Sequence, residues 1–316
     1  EARMIPNEER VRSGGRLVAS TGWSSLYWEA VHLLRRSSCL FAVLGALGVG
    51  CTGAGPDAVL DADVSSRTQG IVFVERVDDG GGARVHVGGR FFRSQGVRAE
   101  SLPALVGAPP STATGGCTER GAMGEGLDST QAEVQLLDVG AIDARADALV
   151  ARMAPHRLPD LWNVVSGVVY GLDGELPTGA WQFTGAGDPT TLRGAFDVSG
   201  APPEPMADLR IGDDALPLGH GAAVSLPRRG GLSVRWARGA STDRVAVVFE
   251  GAGTLSCSAR DDGAFDLDAA QVDRVRELLR QGGTLAVHRL RVIPFAMSGI
   301  DRASLVFDQV VRVRAE

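Results

Sequence analysis

The chain has 316 residues, of which 44% are hydrophobic and 22% charged, a composition typical of a folded protein with about two domains. It carries 38 acidic and 32 basic residues, for a formal net charge of −6. Because the balance is acidic and no arginine-rich block occurs, the composition argues against nucleic acid and anionic membrane surfaces as partners.

The N-terminal fifty residues contain the pattern of an export signal. Arg35 and Arg36 lead into the apolar run 39–50, and small residues then lead to Cys51, which is the order of regions in a secretory signal. The run has twelve residues. A helix of that length spans roughly 18 Å against a hydrocarbon core of about 30 Å, so the run is too short for a stable membrane span.

The end of this signal, Leu47-Gly48-Val49-Gly50-Cys51, resembles the lipobox of bacterial lipoproteins. In that family a peptidase cuts before the cysteine, which becomes a lipid-modified N-terminus. The resemblance therefore implies lipidation at Cys51; the alternative is an ordinary signal cleaved nearby. Thr52 is not the aspartate that commonly retains lipoproteins in the inner membrane, so the resemblance implies a lipid-anchored protein of the outer membrane.

The segments around the signal have different predicted roles. We expect translation to start at or near Val31, which makes 31–50 the signal peptide and 1–30 an upstream extension that is not native. The alternative for that extension is a short additional helix. Residues 51–68 are small and polar with weak periodicity, and they predict a flexible tether between lipid and fold.

A β pattern begins after the tether. Two β-rich runs, 71–77 and 84–87, are joined by an Asp/Gly turn at 78–82, which predicts a hairpin. Further short strands separated by glycine and proline turns predict a β-rich domain over 69–200. A loop rich in Pro, Gly, Ser and Thr is predicted from about 104 to 129.

The segment 201–205 contains three prolines and predicts an extended linker. Residues 206–316 then have the size of a second domain. Its run 232–236 alternates and ends in Trp236, which places that tryptophan in the core. The apolar spacing over 269–281 predicts one helix, and Asp268 is the candidate cap of that helix.

The second domain resembles a fibronectin type III or immunoglobulin-like sandwich. The tryptophan-ended strand 232–236 carries the resemblance, since it follows a Pro-rich entry and precedes two further strands. This family is defined by fold, so the resemblance implies no activity. The predicted fold class is therefore mainly all-β, with two β-sandwich-like domains and one helix after a signal peptide.

Motifs of enzyme and cofactor sites are missing from the sequence. It has no Gly-x-Ser-x-Gly, no His-Glu-x-x-His and, because it lacks lysine, no P-loop. Four histidines follow the signal, and none lies within five residues of another or of a cysteine, so metal-site spacing is lacking. The sequence predicts no metal and no cofactor. These histidines are His86, His156, His220 and His288. Of these, His86 and His288 lie in strand patterns and are predicted to be surface or half-buried residues.

Two weaker alternatives involve carboxylates. His220 could pair with Asp213 or Asp214 for catalysis, although a turn explains both acids better. The acids between 261 and 268 could bind calcium. Turn and helix-cap roles explain each of them and are favoured: Asp261, Asp262, Asp266 and Asp268.

Cysteines and aromatic residues supply the remaining candidates. Cys117 and Cys257 could be bonded in an exported protein. Cys257 lies in an alternating strand and Cys117 in the predicted loop, so two separate thiols are favoured. Trp162 and Trp181, with Tyr170, could stack on a sugar, but core anchoring is favoured for such scarce aromatics.

We expect a non-enzymatic, lipid-anchored envelope protein that serves as a structural, adhesion or binding module. Its partners would be the membrane, through the lipid, and an envelope protein or glycan. One alternative is a hydrolase of envelope polymers, with its residues on the loops 104–129 and 212–221. The other is a carbohydrate-binding module that uses Trp162 and Trp181.

Overall fold

The computed structural model describes residues 67–97, 101–110, 116–120, 132–161, 164–172, 174–187, 195–216 and 223–316. These residues are mainly β, which confirms the predicted fold class at that level. The predicted extension, the signal, Cys51 and the tether up to residue 66 lie outside the described residues.

The strands before the Pro-rich segment are β1 (Arg67–Asp78), β2 (Ala83–Gln95), β3 (Gly116–Arg120), β4 (Glu133–Leu136), β5 (Ile142–Ala146), β6 (Leu149–Leu161), β7 (Val165–Leu172), β8 (Trp181–Gly185) and β9 (Phe196–Gly200). Those after it are β10 (Arg210–Ile211), β11 (Asp214–Ala215), β12 (Ala223–Val224), β13 (Leu232–Arg235), β14 (Arg244–Glu250), β15 (Thr254–Arg260), β16 (Ala264–Leu267), β17 (Gly283–Met297) and β18 (Ile300–Ala315). The helices are α1 (Leu102–Val106) and α2 (Ala269–Leu278).

The predicted hairpin at the start of the fold is confirmed as β1 and β2. The two strands pair antiparallel up to Asp78 opposite Ala83. The Asp78 carboxylate accepts a hydrogen bond of 3.0 Å from the Gly80 amide. Gly80 and Gly82 have φ of 78° and 126°, a conformation that favours glycine, and this is why the Asp/Gly run turns the chain.

Two strands before the Pro-rich segment were not predicted from the sequence. Within the predicted loop 104–129, the residues of β3 form an edge strand. The long strand β6 contains Pro155, which lowers its predicted strand character. β6 pairs with β5 over 149–153 and with β7 from Ala154 onward. Pro155 therefore has only one neighbouring strand, β7, and on its other side no strand needs the N–H that proline lacks.

The described strands form two sheets. The large mixed sheet has the order β3-β15-β14-β17-β18-β1-β2-β4-β7-β6-β5-β8-β9, with β12 paired to β18. The small sheet is antiparallel, with the order β11-β10-β13-β16.

The two segments predicted as domains, 69–200 and 206–316, contribute strands to the same sheet. β1 pairs in parallel with β18, from Gln69 opposite Arg302 to Asp78 opposite Val311. Strands from both segments therefore belong to one sheet, and the described residues from 67 onward belong to one compact unit. We call this β1–β18 pairing the seam.

Two large apolar cores share the hairpin of β17 and β18. The first core packs Phe91 and Trp181 with residues at one end of the hairpin, including Phe307. The second core lies between the large sheet and the small sheet, and it packs Trp236 with Val287 at the other end of the hairpin. Trp236 is buried, as predicted from the alternation of its strand.

Helix α2 covers the second core and begins as predicted. Asp268 accepts a hydrogen bond of 2.8 Å from the Gln271 amide, and the Gln271 side chain accepts one of 2.9 Å from the Asp268 amide. This reciprocal capping box satisfies two backbone donors that the helix itself leaves unpaired. The helix ends at Leu278, three residues before the predicted end at Gln281.

The Pro-rich segment 201–205 is fixed to the sheet rather than acting as a free linker. Arg289 donates to the carbonyls of Glu204 and Pro205 at 3.1 and 3.3 Å. Arg291 donates to the carbonyls of Ala201 and Pro202, both at 3.3 Å. Proline-rich backbone lacks amide donors, and these arginines supply partners for its carbonyls.

Each of these arginines is held by a buried aspartate. Nε of Arg289 lies 2.8 Å from Oδ2 of Asp261, in an ion pair whose side chains are 2% and 0% exposed. The other Asp261 oxygen accepts from Nε1 of Trp236 at 2.6 Å and from Arg289 at 3.2 Å. Arg291 forms a two-bond pair with Asp243, at 2.8 and 2.9 Å.

We predict that Asp261→Asn lowers the free energy of unfolding by about 3–5 kcal/mol, because it leaves the buried Arg289 cation unpaired. Asp266→Asn is the matched control, since its pair with Arg235 is 64% and 45% exposed, respectively, and such pairs contribute about 0–1 kcal/mol. Urea denaturation measures both. Equal losses in the two variants would contradict a structural role for the buried pair.

Candidate functional site

Three sequence-predicted candidates lie outside the described residues. They are the lipidation residue Cys51, one tryptophan of the proposed stacking pair, Trp162, and the proposed catalytic histidine, His220. Of the acids that might pair with that histidine, Asp213 lies in the tight turn between β10 and β11 and Asp214 begins β11. The backbone at these two acids therefore agrees with the turn predicted from the sequence.

Cys117 and Cys257 form a disulfide bond. This corrects the preference for two separate thiols. Cys117 lies in β3, which pairs antiparallel with β15 and places it directly opposite Cys257. The bond closes a sequence separation of 140 residues and attaches the edge strand to the large sheet.

Helix α2 holds the same edge strand through two further contacts. Nε2 of Gln271 lies 3.3 Å from Sγ of Cys117. Nε of Arg274 donates to Glu119 at 2.7 Å. The strand β3 is therefore connected to both the sheet and the helix.

Trp181 is 1% exposed and belongs to the first core. Its ring stacks on Phe183, with centroids 5.6 Å apart and an angle of 7° between the planes. A sugar needs an exposed aromatic face, and the buried Trp181 ring offers none, so the core role favoured by the sequence applies. Tyr170 is also buried and donates through its hydroxyl to Asp138 at 2.8 Å.

The proposed calcium carboxylates have other partners. Asp261 pairs with Arg289, Asp266 with Arg235, and Asp268 caps helix α2. Within the described ranges, no group of three or more His, Cys, Asp or Glu side chains is placed to hold a metal ion.

The histidines occupy three environments. His156 is exposed in β6 and His86 is half-buried in β2, within the range predicted. The prediction for His288 is wrong, because its side chain is 6% exposed and lies in the sheet. Its Nδ1 lies 2.9 Å from Oδ2 of Asp308, whose side chain is fully buried.

This histidine belongs to a line of four titratable side chains on one face of the large sheet. Glu75 of β1 lies directly opposite Asp308 of β18 on one side and His86 of β2 on the other. His288 of β17 reaches Asp308 diagonally, since Asp308 faces Leu290 in the register. We call His288, Asp308, Glu75 and His86 the polar row, and it is the candidate functional site.

Apolar neighbours on the same face surround the polar row. Phe73 and Val306 precede Glu75 and Asp308 by two residues, and Val310 follows Asp308 by two, so alternation puts them on the same face. The rings of Phe73 and His86 have centroids 5.7 Å apart. Oδ1 of Asp308 is buried, and the described residues give it no hydrogen-bond partner.

The surroundings change the proton affinities of the row. Burial raises the pKa of Glu75, and the charge of Asp308 raises it further. Burial acts to lower the pKa of His288, but the charge and hydrogen bond of Asp308, together with Glu75, raise it above its ordinary value. Glu75 and His288 therefore both hold a proton more tightly in the folded chain than the free side chains do.

The sequence analysis missed this site because the register of three strand pairs creates it. One local signal was available. Two polar residues interrupt each of two apolar runs, His288 and Arg289 within 285–290 and Asp308 and Gln309 within 305–311. Such residues are buried only with a partner.

Comparison of the chain with protein-family models finds no match, and comparison with curated proteins finds no significant match. Neither of the two described helices has the length and apolar character needed to cross a membrane.

We predict that Cys117→Ala lowers the free energy of unfolding by about 2–5 kcal/mol, because the unfolded chain gains conformational freedom. The half-exposed Cys117 is the better position, since truncating the buried Cys257 would also leave a cavity. Urea denaturation with and without reductant measures the effect: reductant should destabilise the wild type and leave the variant unchanged. Peptide mapping that finds two free thiols in the oxidised protein would contradict the bond.

Proposed function

We propose that this chain is an exported, lipid-anchored protein of the bacterial cell envelope. Its folded part acts as a non-enzymatic structural, adhesion or binding module. The observation that carries the proposal is the Cys117–Cys257 disulfide, read together with the signal-like sequence that ends at Cys51.

The disulfide supports export. Disulfides persist in oxidising compartments such as the periplasm and the cell surface, and they are rare in the reducing cytosol. The chain has four cysteines, and the other two, Cys39 and Cys51, lie in the signal. Cleavage before Cys51 would remove Cys39 and leave each remaining cysteine with a defined role, one lipidated and two bonded.

The tether supports a module that stands away from the membrane. The lipid would be attached at Cys51, and β1 begins at Arg67. A flexible chain of the intervening length has a root-mean-square end-to-end distance of about 20 Å and an extended length of roughly 50 Å. The fold could therefore reach partners beyond the headgroups.

The polar outer face of β5, β8 and β9 supports a binding role. Arg145, Gln182 and Ser199 lie in register across these strands. With Asp147 of the adjacent turn they line an open depression of about 350 Å³. The guanidinium, amide, hydroxyl and carboxylate groups that line this depression suit the hydroxyl-rich surface of an envelope glycan or the backbone of a protein partner.

The second core supports the proposed sandwich-like character of 206–316. It packs between the strands β14, β15 and β17 of the large sheet and the strands β10, β13 and β16 of the small sheet. Sandwiches of this kind commonly place their functions in the loops at their ends.

Metabolic labelling with palmitate tests the anchor. We expect label in the wild type and in Cys39→Ser, which is the matched control because it changes a cysteine upstream of the cleavage site. We expect no label in Cys51→Ser. Unchanged labelling of Cys51→Ser, or a wild-type protein found in the cytoplasm, would overturn the proposal.

Membrane fractionation tests the proposed location in the outer membrane. We expect the wild type in the outer-membrane fraction and Thr52→Asp in the inner-membrane fraction, because aspartate after the lipidated cysteine commonly retains lipoproteins there. Thr52→Ser is the control and should fractionate like the wild type. Inner-membrane location of the wild type would contradict this assignment while leaving the lipid anchor intact.

A further inference from the structure

Two carboxylates face each other across the seam, where the strands of the two halves meet. Glu75 of β1 and Asp308 of β18 are direct partners in the parallel register. Like charges directly opposite each other in a sheet are destabilising. Asp308 is fully buried and Glu75 half-buried, so water screens their repulsion poorly.

The charges around Glu75 come from every neighbouring strand. Asp308 and Arg312 face it from β18, and His86 lies opposite it on β2. His288 of β17 and Glu250 of β14 also act on it. Further arginines lie on this face by alternation, among them Arg84 of β2, which bonds to Asp79, Arg90 of β2, which lies over the Phe73 ring, and Arg244 of β14.

Two nearby cationic side chains, His288 and Arg312, balance the carboxylates of Asp308 and Glu75 only in part. When His288 is protonated, its imidazolium balances the Asp308 carboxylate through the 2.9 Å contact. Arg312 is exposed, and its charge is therefore screened by solvent. A proton on Glu75 is then the simplest way to leave the seam without net charge.

We propose that the Glu75–Asp308 pair is a proton-dependent lock of the seam, closed when Glu75 is protonated and loosened when that proton is lost. Release of the proton to solvent leaves two carboxylates opposed across β1 and β18. Loss of the proton from His288 then removes the cation that balances Asp308. The strand that the lock controls, β1, is also the strand at which the tether enters the fold.

The direction of the pH dependence follows from the raised pKa values of Glu75 and His288. Glu75 and His288 both bind protons more tightly in the folded chain than at their ordinary pKa values of 4.5 and 6.5. Their contributions to stability are therefore present at low pH and are lost as the pH rises through the folded values. Exposed carboxylates with lowered pKa, such as Asp143 and Asp266, act in the opposite direction, but only below about pH 4.

Hydrogen exchange of the full chain, read by mass spectrometry at pH 5.5 and 8.0 and corrected for intrinsic exchange, tests the lock. In the wild type we expect faster corrected exchange at pH 8.0 in β1 and in the paired part of β18. The strands of the small sheet should change less, because they lie away from the seam. In Glu75→Gln the pH effect on β1 should be smaller, because only the contribution of His288 remains.

Glu133→Gln is the matched control, because it changes an exposed strand glutamate and should behave like the wild type. If Glu75→Gln does not fold, the infrared spectrum of the wild type gives an independent readout: a protonated carboxyl band should persist above pH 4.5, the ordinary pKa of glutamate, and disappear as the pH is raised further. Equal exchange of β1 at both pH values, an undiminished pH effect in Glu75→Gln, or the absence of that band above pH 4.5 would overturn the proposal.

Discussion

The parallel pairing of β1 with β18 is the constraint on which the rest of the structure depends. It joins strands from the two ends of the described chain, and the register runs without interruption over ten residue pairs. On the β1 side of it lie β2 and the strands from β4 to β9, and on the β18 side lie β17, β14, β15 and β3. Because β17 and β18 extend through both apolar cores, a disturbance of this pairing affects each of them.

Three polar devices hold the remaining parts to this frame. The buried pairs of Arg289 and Arg291 fix the Pro-rich segment to β17, although a segment with three prolines has few donors of its own. The disulfide and helix α2 hold β3 at the far edge of the sheet. The polar row lies at the seam itself. A buried ion pair contributes little net stability, but it specifies where each segment must lie.

The sequence predicted the features that depend on neighbouring residues. The hairpin of β1 and β2, the burial of Trp236 and the Asp268 cap all follow from local spacing and turn chemistry. Features that depend on distant pairing could not be predicted. The seam joins residues more than 200 positions apart. The strand β6 was not predicted because a proline fits a strand only where one side has no neighbouring strand, and the sequence does not show that Pro155 lies at such a place.

The candidate site was missed for the same reason. Each member of the polar row is a single polar residue in a separate strand, and only the register of three strand pairs brings them together. The disulfide also required long-range information, since Cys117 lies in a segment whose composition predicts a loop. The signal and its cysteine, in contrast, are local patterns, which is why the proposed anchor rests on sequence and the proposed lock on structure.

The central structural claim is that the two halves fold as one unit joined at the seam. Pulsed hydrogen exchange across a urea series, read separately in β8 of the first half and β14 of the second, tests it most directly. Both strands should lose protection at the same urea concentration, as in a single cooperative transition. Loss of protection in one strand while the other stays fully protected would show two independent domains and would contradict it.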